Sequence, residues 1–328
     1  MKDYTSGQRI LKFLDILKEL TDENHFITMK DIQERLQIQF NRNSIDMKTL
    51  RKDLATLKEF GFKIEEQTRP DKQKEYSLDT SFSSAELCIL IDAVTSARFL
   101  TKKDTNDLIK KLKTLTSTHV GKKMTNALYV DQRIKTTNPH AKRWIESLHQ
   151  AINEHVKIKF KYKRYNHKLE VVYGRNGDYY TVIPYALVWN HDYYYLIAKQ
   201  HKDDTVFSHY RVDRMEDVQY TNEHFHRESF DIADYIKKTF HMYTGIVENI
   251  EVIFHNHLIN VIVDTFGTNI DVTQVDSDHF KIKFQAAVND GLFRWLLTWG
   301  SSAKVVAPTS LVTRMKEESE KFAHLYTS

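Results

Sequence analysis

The sequence contains a single cysteine, Cys88, so the chain can form no internal disulfide and no thiolate metal site. With only 9 glycines and 4 prolines, it has no long disordered or low-complexity tract. No apolar run approaches the roughly 18 residues of a membrane span, and the N-terminal residues MKDYTSGQRILKFL lack the apolar core and cleavage site of a signal peptide. These absences predict a folded, cytoplasmic protein that does not enter a membrane.

The overall charge is only mildly basic, with 48 Lys and Arg against 44 Asp and Glu and a formal net charge of +4. Such a balance does not by itself indicate a nucleic-acid partner, so the placement of the basic residues matters more than their number. At 328 residues the chain is long enough for two or three domains. The patterns along it predict an α+β protein.

Apolar residues at helical spacing predict three helices near the N-terminus. The first covers residues 7–20 after Ser6 as N-cap, the second begins at a capping box formed by Thr28 and Asp31, and the third extends to Gly61. The connection between the second and third helices, from Gln37 to Asn43, is longer than in a standard helix-turn-helix. A strand, a turn and a second strand follow over residues 62–78. Three helices and a hairpin predict a winged helix-turn-helix over residues 1–80.

The third helix has leucines on one face and cationic side chains on the other, where a recognition helix would contact phosphates and base edges. Two further cations lie at the tip of the hairpin and could contact the DNA backbone. The predicted DNA-binding residues are Ser44, Lys48, Thr49, Arg51, Lys52, Arg69 and Lys72. The alternative is a small helical domain whose lysines and arginines only solvate its surface.

The remaining chain divides by periodicity into three further segments. Residues 81–139 predict a helical connector, whose helix opening at Ser84 could pack within the chain or against a symmetry mate in a homodimer. Residues 140–225 predict a helix and five short strands of a small SH3/Sm-like β-barrel. Residues 226–328 predict βαββαβ and a terminal helix, a ferredoxin-like domain.

Three ordered blocks in the predicted barrel resemble the WYL domain, a ligand-sensing module of bacterial regulators. They are Pro184-Tyr185-Ala186-Leu187-Val188, Tyr194-Tyr195-Leu196 and Tyr210-Arg211-Val212-Asp213-Arg214-Met215, with Tyr194 where the family usually has tryptophan. Residues 49–54 resemble the recognition helix attached to such domains, and residues 292–311 resemble their C-terminal extension. The resemblance implies a transcriptional regulator, and members with this layout control phage-defence operons or DNA-damage responses.

Aromatic and cationic side chains converge on the predicted barrel, and this combination suits phosphates and stacked bases. The predicted ligand-binding residues are Tyr185, Tyr195, His209, Arg211 and Arg214. They predict a nucleotide, an oligonucleotide or another anionic effector. The alternative is that the two arginines pair with Asp213 or Glu216 as structural ion pairs and that the tyrosines belong to the core.

Enzyme signatures are weak in this sequence. The pairs His224/His226 and His255/His257 lack a third or fourth ligand at zinc-site spacing, and no phosphate-binding loop or nucleophile elbow occurs. We therefore expect no catalytic residues, no metal and no cofactor. We expect a homodimeric repressor of a double-stranded DNA operator. The rivals are a nucleic-acid-processing enzyme or accessory factor whose barrel binds single strands, and an architectural DNA binder without a ligand.

Overall fold

The structure is a computed structural model that describes residues 4–41, 45–79, 82–124, 135–202, 204–226, 231–240 and 242–327. The chain forms two compact units, Met1–Thr137 and Asn138–Ser328. Among the described residues, no helix is long and apolar enough to span a membrane.

Unit 1 begins with the predicted helices and hairpin. Its elements are α1 (Ser6–Leu20), β1 (Ile27–Thr28), α2 (Met29–Phe40), α3 (Met47–Glu59), β2 (Ile64–Thr68) and β3 (Lys74–Leu78). The sheet order is β1-β3-β2, with all pairs antiparallel. The sequence did not predict β1, because two residues are too few to show an alternating pattern.

Helix boundaries depend on local caps, and two of them differ from the prediction. The N-cap of α1 is Thr5 instead of Ser6, since the Thr5 hydroxyl accepts a hydrogen bond from the Gln8 amide at 3.2 Å. The capping box of α2 is present, with the Asp31 amide donating to the Thr28 hydroxyl at 3.2 Å. Helix α2 continues to Phe40, so the connection to α3 begins at Asn41 and not at Gln37 as expected.

A continuous apolar core holds these elements together. The predicted core leucines of α3 are buried against α1, α2 and the sheet, as are most of the apolar residues of α1 and α2. The largest contributors are Phe13, Leu17, Ile32, Leu36, Leu50, Leu54 and Leu57. Burial of several such side chains, at about 1.5–3 kcal/mol each, is what stabilises a helical unit of this size.

The described residues of unit 1 form three further helices: α4 (Ser84–Ser96), α5 (Lys102–Lys113) and α6 (Thr118–Lys123). Helix α6 is held to the end of α1, because the Ser117 hydroxyl donates to the buried Asp22 carboxylate and the Thr118 hydroxyl donates to the Glu19 carbonyl at 3.1 Å. The last described helix of the predicted connector therefore packs against the end of α1.

Unit 2 begins with a helix on a curled sheet. Its elements are α7 (Ala141–Glu154), β4 (Val156–Tyr165), β5 (Val171–Tyr173), β6 (Tyr180–Asn190), β7 (Tyr193–Lys199), β8 (Ser208–Arg211) and β9 (Met215–His224). The order is β5-β4-β6-β7-β8, and β9 pairs with β4, which gives a curled half-barrel. Strand β9 was not among the five predicted strands, because its mostly polar residues show no clear alternation of apolar and polar side chains.

The remainder of unit 2 starts with a connecting segment, residues 231–240 and 242–245, which contains α8 (Ile232–Lys237). The elements β10 (Ile246–His255), α9 (Ile259–Phe266), β11 (Val272–Gln274), β12 (His279–Val288), α10 (Asp290–Leu297), β13 (Ala303–Ala307) and α11 (Thr309–Tyr326) follow. The antiparallel sheet has the order β11-β12-β10-β13. The predicted element order βαββαβ with a terminal helix is present.

Candidate DNA-binding surface and ligand cavity

Helix α3 has one buried face and one charged face. Leu50, Leu54 and Leu57 lie in the core, while Lys48, Arg51 and Lys52 are exposed. Because the apolar face fixes the rotation of the helix, the three cationic side chains of its first turns point to solvent together. This arrangement can contact a polyanion without disturbing the core.

An ion pair that the sequence analysis missed fixes α3 on α1. The Arg9 guanidinium donates to both carboxylate oxygens of Asp53, at 2.6 and 3.0 Å, and the Asp53 side chain is 4% exposed. The bonded carboxylate raises the pKa of Arg9. A signal was available, because an aspartate beside Leu54 on the apolar face of a helix requires a cationic partner.

The start of α3 uses one predicted DNA-binding residue for its own cap. The Asp46 carboxylate accepts hydrogen bonds from the Thr49 amide at 3.1 Å and from the Thr49 hydroxyl at 3.4 Å. Thr49 is half-buried, so its contact surface is smaller than that of the three cations. Ser44, the other predicted residue here, lies outside the described residues.

The hairpin contributes one exposed cation and one that is partly neutralised. Lys72 lies at the exposed tip with a φ of 66°, whereas the Arg69 guanidinium is 3.3 Å from the Glu75 carboxylate. The pKa of Lys74 on β3 is raised chiefly by its hydrogen bond to Glu66, and the charge of Arg51 opposes this rise. The positive charge of Arg51 on α3 therefore acts on Lys74 of the hairpin.

The half-barrel of unit 2 contains a cavity of about 560 Å³, which we call the tyrosine cavity. It collects hydroxyl, amide and guanidinium groups from the curled sheet and from the connecting segment. Its lining residues are Tyr162, Tyr180, Tyr195, Gln200, Ser208, His209, Tyr210, Arg211, Arg214, Met242, Tyr243 and Thr244. Four of the five predicted ligand-binding residues are thus brought together.

Arg211 is committed to a structural ion pair, as the alternative reading of the sequence allowed. Its guanidinium donates to both Asp213 oxygens at 3.0 and 2.7 Å and lies 3.4 Å from the centre of the Tyr193 ring. Burial lowers the pKa of Arg211, but the Asp213 carboxylate outweighs this effect and holds the pKa above its ordinary value. Arg211 lines the cavity with its charge already compensated.

Arg214 is the less constrained of the two arginines. It is exposed, and in the described part of the chain no carboxylate lies within ion-pair distance of its guanidinium. Burial raises the pKa values of the neighbouring Tyr162 and Tyr195 hydroxyls, and the charge of Arg214 acts against that rise. Arg214 therefore supplies an available positive charge beside two protonated hydroxyl donors.

His209 holds the connecting segment and has both ring nitrogens engaged. Nδ1 lies 2.6 Å from the Met242 carbonyl oxygen and Nε2 lies 2.8 Å from the Tyr235 hydroxyl. Because a carbonyl only accepts, Nδ1 carries the proton and Nε2 accepts from Tyr235. Burial lowers the pKa of His209 and raises the pKa of Tyr235 to about 12. The imidazole is neutral and serves to position this segment.

The fifth predicted ligand-binding residue, Tyr185, lies elsewhere. It is 2% exposed and lines a second cavity, of about 420 Å³, together with His224 and His226. Conversely, the sequence analysis missed Gln200, Tyr243 and Thr244, which line the tyrosine cavity. No local sequence pattern could have identified Tyr243 and Thr244 as cavity residues, because only the fold brings the connecting segment to the sheet.

The sequence offered two histidine pairs, His224/His226 and His255/His257, as candidate metal ligands. Within the described ranges, no group of three or more His, Cys, Asp or Glu side chains has an arrangement that could hold a metal ion.

Among the solved structures that resemble this chain, two illustrate the low level of sequence identity. One is the proteasome accessory factor B/C (PafBC) of Arthrobacter aurescens, at 17% identity and a TM-score of 0.28, which covers 93% of this chain and 45% of that one. The present chain thus spans less than half of that protein. The other is described as a CRISPR Cas-related protein, at 12% identity and a TM-score of 0.38, covering 99% and 87% of the two chains.

A search of curated proteins found no match. Comparison with protein families matched the WYL domain to residues 143–220 and the WCX domain to residues 247–323. The first range covers most of α7 and of the curled sheet, including Arg214, and the second covers nearly all of the sheet formed by β10 to β13. The resemblance to the WYL domain is thereby confirmed, and the chain contains a WYL domain followed by a WCX domain.

Proposed function

We propose that this protein is a ligand-responsive transcriptional regulator and not an enzyme. Unit 1 binds a double-stranded DNA operator through α3, and the tyrosine cavity of the WYL domain binds an anionic effector. The observation that carries the proposal is the exposed cationic face of α3 over its buried leucines. We assign the protein as a repressor. We assign it as a homodimer, because a two-fold dimer would match the two half-sites of a palindromic operator.

The element order of unit 1 supports DNA binding. Three helices with a short strand before the second, followed by an antiparallel hairpin, follow the element order of a winged helix, whose third helix would enter the major groove. Lys48, Arg51 and Lys52 would then contact phosphates and base edges, and Lys72 at the hairpin tip would contact the neighbouring backbone. The Arg9–Asp53 ion pair would hold α3 in place on α1 when the cationic face of α3 contacts DNA.

The WYL domain supports the sensing role. Arg214 offers a guanidinium without a carboxylate partner among the described residues, and the Tyr162 and Tyr195 hydroxyls beside it are donors. Guanidinium and hydroxyl donors around aromatic rings recognise phosphate groups and stacked bases. A nucleotide or short oligonucleotide is therefore the effector class we assign. The WCX sheet has the strand order of a ferredoxin-like fold.

The DNA-binding half is tested by salt dependence. A labelled duplex selected from a random pool is titrated by fluorescence anisotropy between roughly 50 and 200 mM salt, the range over which phosphate contacts reveal themselves. Arg51→Ala and Lys52→Ala should each weaken binding and reduce the log–log salt slope by about 0.9 for each phosphate that the variant no longer neutralises. Lys103→Ala, on the exposed surface of α5, is the matched control and should change neither.

Equal slopes for wild type and both α3 variants would contradict this half of the proposal. So would wild-type protein that binds the selected duplex no more tightly than a scrambled competitor.

A further inference from the structure

The second cavity, which contains Tyr185, is rich in cationic and imidazole side chains. It measures about 420 Å³ and receives His201, His224, His226, Lys157 and Lys202 from β4, β9 and the turn after β7. In the described part of the chain no carboxylate lines it. We call it the histidine cavity.

The charges around the histidine cavity are not fully neutralised. The Lys157 ammonium pairs with Glu223 at 2.6 Å, whereas Lys202 has no side-chain ion pair among the described residues. The nearby Asp204 carboxylate accepts from the backbone amides of Gln200 and His201 at 2.9 and 2.8 Å. Those hydrogen bonds hold the Asp204 carboxylate in the turn but leave its negative charge in place. Within the described ranges, the three lysines of this region, Lys157, Lys199 and Lys202, stand against the two carboxylates Glu223 and Asp204, so one positive charge remains in excess.

An aromatic wall faces these cations. The buried Tyr185 ring lies 6.2 Å from the Phe225 ring, and the Lys199 ammonium lies 5.6 Å from the centre of the Tyr185 ring. Cations beside aromatic faces form the combination that binds a phosphate attached to a planar ring. A volume of this size falls within the roughly 300–1,000 Å³ range of small-molecule sites.

The histidine cavity and the tyrosine cavity meet at one residue. Gln200 lines both, and its amide nitrogen donates to the Tyr210 hydroxyl of the tyrosine cavity at 3.2 Å. A chain of ring contacts also runs from Tyr185 through Phe207 and Tyr235 to His209, with centroid distances of 4.9, 5.2 and 5.7 Å. The two cavities are therefore neighbours joined by a shared wall.

We propose that the histidine cavity is a second anion site, which binds a phosphate monoester carried by a planar ring. The source of this group is either a free mononucleotide or the 5′-terminal nucleotide of a short oligonucleotide that also occupies the tyrosine cavity. The second source rests on the proposed function, whereas the anion site itself does not.

The test uses the full-length protein and two probes, adenosine 5′-monophosphate and the 5′-phosphorylated trinucleotide pTpTpT, in calorimetric titrations. The double variant Lys202→Gln/His226→Gln replaces an exposed ammonium and an exposed imidazole of the histidine cavity by neutral amides, and Arg214→Gln alters only the tyrosine cavity. Lys168→Gln, in the exposed turn between β4 and β5, is the matched control. Thermal unfolding of each variant verifies that it is folded.

We expect the double variant to lose mononucleotide affinity by about tenfold or more, the effect of removing charge-assisted hydrogen bonds, while the control equals wild type. A parallel loss for pTpTpT identifies the oligonucleotide as the source, and an unchanged pTpTpT affinity identifies the free mononucleotide.

Titrations of the double variant that match wild type for both probes would overturn the second site. The same proteins are titrated with duplex DNA. Failure of wild type to bind duplex removes the proposed function but leaves the mononucleotide result readable, so the two failures are distinguishable.

Discussion

Two arginines three positions apart, Arg211 and Arg214, have different roles. The first is 20% exposed in its side chain and paired in bidentate geometry with Asp213, which is 8% exposed. The second is exposed and has no carboxylate partner among the described residues. Removing the first therefore leaves a buried carboxylate uncompensated, whereas removing the second takes away only an available charge.

We predict that Arg214→Gln lowers affinity for a phosphate-bearing probe such as pTpTpT by about tenfold with no change in the free energy of unfolding.

We predict that Arg211→Ala lowers the free energy of unfolding by about 3 kcal/mol. Urea unfolding followed by fluorescence measures this effect. The double change Arg211→Met/Asp213→Leu is the control and should recover part of the loss, because neither charge is then left alone. A fully stable Arg211→Ala variant would contradict the structural role of this pair.

His209 makes the stability of unit 2 depend on pH. Its pKa is lowered by burial, so below about pH 6.5, where an unfolded histidine takes up a proton, the native state resists protonation. The contribution of neutral His209 to stability is therefore fully present above this pH and is lost as the pH falls toward the lowered pKa of His209. We predict that His209→Asn, whose amide can still donate to the Met242 carbonyl, loses less stability than wild type when the pH falls from about 7.5 to about 5.5. Identical pH profiles in chemical unfolding would show that His209 is not responsible.

At this scale, the period of two accounts for side-chain direction along a regular strand but not at an irregularity. Tyr194 and Leu196 pack with the core under α7, and Tyr195 and Ile197 face the other side, as the period of two predicts. Tyr185 lies where the pairing of β6 with β7 shifts register between Pro184 and Ala186. A bulge changes the face of the extra residue, and a single sequence gives no sign of it.

Among the elements, the connecting segment links the two parts of unit 2. His209 bonds it on the WYL side, while the Lys238 carbonyl accepts from the Ala287 amide at 2.7 Å and the Tyr243 carbonyl accepts from the Asn289 side chain at 2.9 Å. Tyr243 also lines the tyrosine cavity. A ligand there would contact a segment that is bonded to the WCX domain.

Close packing of this segment on α10 requires glycine at position 291. A Cβ there would lie 2.3 Å from the Phe240 carbonyl oxygen, so the backbone of the segment would have to move. We predict that Gly291→Ala lowers the free energy of unfolding by about 1–3 kcal/mol and weakens probe binding in the tyrosine cavity. Gly121→Ala, in α6 with its nearest contact at 3.5 Å, is the control and should leave probe binding unchanged. Unaltered probe affinity in Gly291→Ala would show that the segment does not shape the cavity.

Long elements with regular apolar spacing were predictable, and short or polar ones were not. The terminal helix predicted at the end of residues 226–328 is present as Thr309–Tyr326, because eighteen residues give the helical period enough repeats. The short strand β1, the helix α8 and the polar strand β9 depend on tertiary contacts and show no regular apolar pattern in the sequence. Arrangement in space, including which residues line the two cavities, required the structure.

For the whole molecule, the proposed regulation is a coupling between two binding events. Unit 1 presents the cationic α3, and unit 2 presents the tyrosine cavity. If an effector changes operator affinity, the operator must change effector affinity by the same factor. Typical couplings amount to roughly 5- to 150-fold, which is easily measured in either direction.

The most direct measurement is the operator affinity of wild type and of Arg214→Gln, with and without saturating pTpTpT, by fluorescence anisotropy at fixed salt. We predict that wild type binds its selected duplex at least about fivefold more weakly or more tightly when the probe is present, and that Arg214→Gln binds the duplex equally with or without it. A wild-type affinity that does not change while the probe is demonstrably bound would contradict the proposed coupling.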